Sequence, residues 1–321
     1  MDIKDRKILA ELVSNSRIPI NQLAKKCGIS REVANYRIKR LKAERIITDF
    51  YTIINFRELG FTKYSCFFQL KNVNIDKEKE FINFLVKNDF TAYLGIALGK
   101  WNVVFDLYAK NKEHLEKIIK QIVKEKEELI DSYMIIESSS EQFSFPSKII
   151  GVNKPIIETK KAQKSKIDET DLKIMSMLSS NSQLEYKELA NKLNLAANTI
   201  KYRIKSLEKA GIILGYSISI DAQKLGYEWH NIQIKFAKLD VEKQLIHFLK
   251  NAMNVVWIYK YIGNENWDLD IGVIAKNSSE LRTFIIELKN NFSDSLKIYD
   301  FFTNLEVYKG DFAPAGIFNS S

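Results

Sequence analysis

Cysteine, histidine and proline are scarce in this chain of 321 residues, which has two, three and four of them. Two cysteines far apart, Cys27 and Cys66, make no disulfide framework; each reads as a small apolar filler in a reducing compartment. His114, His230 and His247 have no metal-ligand spacing, which argues against zinc, and no cofactor is expected. No run of about 18 apolar residues exists, so a membrane-spanning helix is excluded as an expectation. The opening MDIKDRK lacks the apolar core of a signal peptide, and a cytoplasmic setting is expected. Acids are outnumbered, 40 against 49 Lys plus Arg, and the net charge of +9 favours an acidic partner such as nucleic acid, although weakly. The length suits two to four small domains.

What is present is a stretch that occurs twice. Leu23 to Thr48 reads LAKKCGISREVANYRIKRLKAERIIT. Leu23 and Ala24 fit a short helix, Gly28 and Ile29 a turn, and Ser30 a cap for the next helix. Ala34, Ile38 and Leu41 then fall on one buried face. Arg31, Glu32, Asn35, Tyr36 and Lys39 are left outward, a basic, amide and aromatic face suited to a DNA major groove. Arg37, and Arg203 in the second copy, lie next to the stripe and either bind phosphate or pair with an acid of their own module; Lys39, Arg40 and Lys42 either join the groove face or are a solvated face. The second copy, Leu189 to Leu214, returns Tyr36-Arg37-Ile38-Lys39 as Tyr202-Arg203-Ile204-Lys205. Its other outward positions are different residues, among them Asn198, Thr199 and Lys201. The two modules also differ in charge: residues 2–62 carry thirteen Lys/Arg against seven Asp/Glu, whereas residues 168–228 carry eight of each. The first therefore has the stronger phosphate attraction.

After each module the period changes. Tyr64, Cys66, Phe68 and Leu70 alternate as a strand, Glu78 to Lys87 is helical, and Thr91 to Leu98 and Trp101 to Ala109 are strands joined at Gly99-Lys100. Leu115 to Val123 is an amphipathic helix and Ile130 to Glu137 a last strand. The order β-α-β-β-α-β is that of a ferredoxin-like domain, and it returns between Ile232 and Phe302. The predicted architecture is α+β: winged helix-turn-helix 1 over 1–61, ferredoxin-like domain 62–143, basic linker 144–166, winged helix-turn-helix 2 over 167–227, ferredoxin-like domain 228–312 and a tail 313–321.

A helix-turn-helix followed by a ferredoxin-like domain resembles the Lrp/AsnC (leucine-responsive, feast/famine) transcriptional regulators. Asp5-Arg-Lys-Ile-Leu, Asn15-Ser-Arg17, Leu23-Ala24, Ser30, Arg37-Ile38, Leu41 and Gly60 carry the resemblance. Asp171-Leu-Lys-Ile, Asn181-Ser182, Leu189-Ala190, Arg203-Ile204, Leu207, Gly211-Ile212 and Gly226 carry it again. The family has one unit per chain; here two are fused. The resemblance implies a non-enzymatic, sequence-specific transcriptional regulator of double-stranded DNA, with no membrane partner. It also implies ferredoxin-like domains that pair, here within one chain or between chains. It further implies a small-molecule effector, amino acids among the candidates, near a Gly-x-aromatic-Asp hairpin. The corresponding residues are Gly99, Trp101 and Asn102 in the first unit, with Asn for Asp, and Gly263, Trp267 and Asp268 in the second, with two extra residues between; the other reading of both is a tight turn with a packed Trp. The alternative from another class is a sirohaem-decarboxylase-like enzyme, which resembles the same domain architecture.

Overall fold

Each module begins on an aspartate. In the computed structural model, Asp2 accepts from the Asp5 amide while Asp5 reaches back to the Asp2 amide, and Asp168 and Asp171 do the same. This reciprocal cap satisfies two amides at each helix start that no turn of the helix can reach. The model describes residues 1–321 apart from 73, 144–146, 152–156, 159–165, 262, 311–312 and 320–321.

In chain order the first unit holds α1 (Ile3–Ser14), α2 (Ile20–Cys27), α3 (Arg31–Ala43), β1 (Ile47–Ile54), β2 (Thr62–Leu70), α4 (Ile75–Val86), β3 (Thr91–Leu98), β4 (Val103–Ala109), α5 (Lys112–Lys126) and β5 (Ile130–Phe143). Between the units lie α6 (Ser147–Ile150) and β6 (Ile157–Glu158). The second unit repeats the order with α7 (Glu169–Ser180), α8 (Tyr186–Leu193), α9 (Ala197–Ala210), β7 (Ile213–Ile220), β8 (Glu228–Phe236), α10 (Glu242–Asn251), β9 (Val255–Tyr261), β10 (Leu269–Ala275), α11 (Ser278–Phe292) and β11 (Leu296–Gly310), then α12 (Ala315–Phe318).

The strand expected as wing and connector does not fold back on its own module. β1 pairs antiparallel with β7, its counterpart, with Phe50 opposite Ile218 and Thr52 opposite Tyr216. Matched contacts surround this ribbon. The Ser16 amide donates to the Tyr216 carbonyl at 3.1 Å and the Ser182 amide to Phe50 at 2.9 Å. Ser16 Oγ and Ser182 Oγ, 166 residues apart, sit 2.6 Å from each other. The two modules are therefore related by a pseudo-two-fold inside one chain.

The ferredoxin-like domains pair within the chain as well. The ring β2-β4-β3-β11-β8-β10-β9-β5 closes through β2–β5, so two four-stranded sheets make an eight-stranded antiparallel barrel, with β6 appended to β5. Closure leaves those eight strands no free edge. The outer faces pack under α4 and α5 in one half and α10 and α11 in the other. Phe67, Trp101, Val104, Trp267 and Phe302 fill the inside.

Each module sits on the other repeat's ferredoxin-like domain. The core of the first module takes in Tyr227, Val256 and Ile274 of the second unit; that of the second takes in Ile54, Phe56 and Phe61 of the first. Short helices clamp the crossing. Ile149 and Ile150 of α6 are buried in the first module's core, and Ala313, Ile317 and Phe318 around α12 in the second's. The expected linker 144–166 thus contains a docked helix at 147–150, and the expected tail contains another. Residues 152–156 and 159–165 of that linker, with Lys160, Lys161 and Lys164, lie outside the described residues.

Candidate nucleic-acid interface

α2, the Gly28 turn and α3 form the first helix-turn-helix; α8, Asn194 and α9 form the second. Gly28 and Asn194 occupy the left-handed turn at φ 63° and 53°. Glycine enters that region freely and asparagine at small cost. Ser30 caps α3 by accepting from the Val33 amide at 3.2 Å, whereas Ala196 offers α9 no side-chain cap. Ala34 and Leu41 of α3 are buried with Ile38 packed beside them, and Ile200, Ile204 and Leu207 fill the same role in α9.

The opposite faces are open to solvent. Arg31, Glu32, Asn35, Tyr36 and Lys39 are exposed on α3, and Asn198, Thr199, Lys201, Tyr202 and Lys205 on α9. Tyr36 is 66% and Tyr202 75% exposed, too open for either ring to serve the core.

The arginines beside the stripe are held differently. Arg37 bridges Asp2 at 2.7 Å and Asp5 at 2.8 Å; Arg203 bridges Asp168 at 2.8 Å and Asp171 at 3.0 Å. Arg40 reaches Asp5 at 2.6 Å, with Glu44 at 3.7 Å. These pairs lock α3 and α9 to the first helix of their modules, so of the two sequence readings of Arg37 the acid-paired one matches this geometry. The Asp5 amide and then Arg37 hold the Asp2 carboxyl down at about 2. The Asp171 amide and then Arg203 depress Asp168. Arg37 and Arg203 are pushed up in turn by their acids.

Sequence reasoning missed Arg17. Its guanidinium lies between the rings of Tyr186 and Tyr216, at 5.3 and 5.2 Å, and donates to the carbonyls of Ser182 and Leu184. It staples one module to the other beside a cleft of about 420 Å³ that Ser16, Gln183, Glu185 and Lys187 also line. The available signal was the unlike pair Arg17 and Gln183 inside an otherwise repeated Asn-Ser segment.

The two hairpin tryptophans are drawn into the barrel, while Gly99 and Gly263 stay exposed and Asn102 and Asp268 half-buried. Trp101 and Trp267 pack on Phe67, with ring centroids 6.0 and 5.4 Å apart. Asn102 Oδ1 accepts from the Leu70 amide at 2.8 Å, and Asp268 Oδ2 from the Phe236 amide at 2.7 Å. Gly99 and Gly263 take positive φ at the turns. These side chains pack and brace the two hairpins.

A polar seam inside the barrel also escaped the sequence. Lys63 bridges Asp106 at 3.0 Å and stands over the Tyr259 ring at 3.5 Å. Ser65 donates to Asp106 at 2.7 Å and receives Tyr261 Oη at 3.1 Å. Across the seam Asn231 donates to Asp270 at 2.7 Å, Asn304 to Asn231 at 2.7 Å, and Tyr93 to Asn304 at 3.2 Å. Burial, then the nearby Asp106 charge, pushes the Asp270 carboxyl up to about 7 against the pull of Asn231 and Lys63.

Among the described residues no group of three His, Cys, Asp or Glu could hold a metal ion. No helix there is long and apolar enough to cross a membrane. The histidines are scattered: His114 on α5 edge-on to Phe90, His247 on α10, and His230 on β8 against Thr303.

A model of winged helix-turn-helix DNA-binding domains matches residues 1–48 and again 167–213. An uncharacterised HTH-type transcriptional regulator of Pyrococcus furiosus is 34% identical over 148 residues, which span 46% of this chain and 96% of that protein. The HTH-type transcriptional regulator LrpB of Bacillus subtilis is 26% identical over 107 residues, 33% of this chain and 72% of LrpB. Nearly the whole Pyrococcus relative, and about seven tenths of LrpB, correspond to less than half of this chain. Two solved structures of the siroheme decarboxylase NirDL match the tandem as a whole, with TM-scores of 0.66 over 95% of this chain and 92% of that one at 16% identity, and 0.67 over 98% and 96% at 15% identity. At that identity the likeness is one of fold.

Proposed function

The chain belongs to the Lrp/AsnC family of helix-turn-helix transcriptional regulators, and on that premise we propose that one chain binds one DNA duplex as a covalent pseudo-dimer. The observation that carries this reading is the β1–β7 ribbon, which holds two helix-turn-helix modules side by side with their polar faces free. On this reading α3 and α9 enter major grooves, where Arg31, Glu32, Asn35, Tyr36, Lys39, Asn198, Thr199, Lys201, Tyr202 and Lys205 meet DNA. Arg37, Arg40 and Arg203 brace the helices and meet phosphate only where their ion pairs open. Such a regulator works in the cytoplasm. Titration of a labelled duplex at rising salt tests the reading: each neutralised phosphate steepens the fall of affinity with salt. Absence of binding at low salt contradicts it.

An effector fits the reading if it acts where the ferredoxin-like domains join, because each module rests on the opposite domain. Amino acids are the class to screen, by thermal shift and by their effect on DNA affinity.

The whole-chain fold favours a second reading as a siroheme decarboxylase. It is separated by absorbance: mixing the protein with an iron tetrapyrrole gives a shifted Soret band under that reading and an unchanged one under ours.

A further inference from the structure

Resting on the DNA-binding reading, we infer that the target is a duplex with two unlike arms, with G·C pairs under the first turn of α3 and A·T pairs under the first turn of α9. An ordinary two-fold dimer presents one helix twice and reads a palindrome. This chain presents two helices in one frame. The ribbon, the Ser16–Ser182 contact and the matched ion pairs of Arg37 and Arg203 relate α3 to α9 position by position. Each helix also starts at the same place, after Ser30 and after Ala196. What differs between them is thus side-chain chemistry at equal positions.

Base edges are met mostly by the first turns of a recognition helix. There α3 carries Arg31 and Glu32, where α9 carries Ala197 and Asn198. Arginine pairs bidentately with guanine O6 and N7, and a carboxylate accepts from cytosine N4. Asparagine pairs with adenine N6 and N7, and the methyl of Thr199, which replaces Val33, touches the thymine methyl. Its own amide, then the Ser30 hydroxyl, holds Glu32 below the usual carboxylate range, so it stays an acceptor. Further along the helix Tyr36 and Tyr202, and Lys39 and Lys205, are identical and exposed. Between them the exposed Asn35 stands where α9 has Lys201, which inverts the preference at that one position, adenine under α3 and guanine under α9. The arms therefore share the Tyr and Lys contacts, and the G·C and A·T assignment belongs to the base pairs under the first turns.

The test is selection from a random duplex pool by the full chain, then affinities of Arg31→Ala and Asn198→Ala for the selected duplex and its arm variants. Both positions are exposed, so the variants keep the fold. The expected result is one non-palindromic motif. Arg31→Ala then loses roughly tenfold in affinity and relaxes only the G·C arm, and Asn198→Ala relaxes only the other. A palindromic motif, or both variants relaxing the same arm, overturns the inference while leaving DNA binding intact. Failure to retain any duplex above background overturns the DNA-binding reading beneath it.

Discussion

Asp270 is 1% exposed inside the barrel, and Asp270→Asn tests the polar seam. Asn231 and Gln233 lie beside it on the same sheet, and Lys63 and Asp106 across the seam. With a folded-state value of about 7 against an ordinary 3.8, folded Asp270 keeps its proton where the unfolded chain has lost it. The sign follows. Below about pH 4 both states are protonated and the group leaves stability unchanged. Between about pH 4 and 7 folding is penalised by ~1.4 kcal/mol per pH interval, reaching about 4 kcal/mol, and above 7 the penalty is constant. The amide of the variant keeps an oxygen to accept from Asn231 and cannot ionise. Thermal and urea unfolding of both proteins from pH 4 to 9 reads the difference, in which the opposite contributions of the depressed Asp2 and Asp168 cancel. The variant should match the wild type near pH 4 and gain on it steadily up to pH 7. A constant difference across the range refutes the reasoning.

Arg45 follows α3 at φ 56°, where the second unit has Gly211 at φ 76°. An L-residue there costs about 1–2 kcal/mol; glycine removes that cost but gives part of it back in the larger chain entropy it loses on folding, so Arg45→Gly should stabilise by about 0.5–1 kcal/mol in urea unfolding. Ser16→Ala and Ser182→Ala each remove one end of a buried hydroxyl pair. Each should cost about 1 kcal/mol, with the double variant short of additivity in a double-mutant cycle. Gly272→Ala would place its Cβ 2.1 Å from the Trp257 ring and should destabilise by about 1–3 kcal/mol, seen as a lowered melting temperature.

The modules and the ferredoxin-like domains were legible because their buried faces recur at helical and strand periods. Ala34, Ile38 and Leu41 alone place α3, and the alternation from Tyr64 to Leu70 places β2. The crossing of the modules was not legible: it rests on contacts such as Ile54 and Phe56 with the second unit, which leave no local pattern. α6 and α12 escaped because four residues with two or three apolar side chains show no period. The polar seam escaped because Lys63, Ser65, Asn231 and Gln233 alternate with apolar residues and so read as a solvent face; closing two sheets into a barrel turns that face inward. Arg37 stood beside the stripe with two readings in the sequence, and only the position of Asp2 and Asp5 on α1 separates them.

On the pseudo-dimer reading, a single chain does what two chains do in an ordinary dimer of the family. Light scattering on the free protein and on its complex with a selected duplex tests it most directly. A covalent pseudo-dimer has a free mass of one 37.3 kDa chain and forms a complex of one chain with one duplex whose affinity falls steeply with salt. A complex that forms only with two chains on the duplex would contradict it.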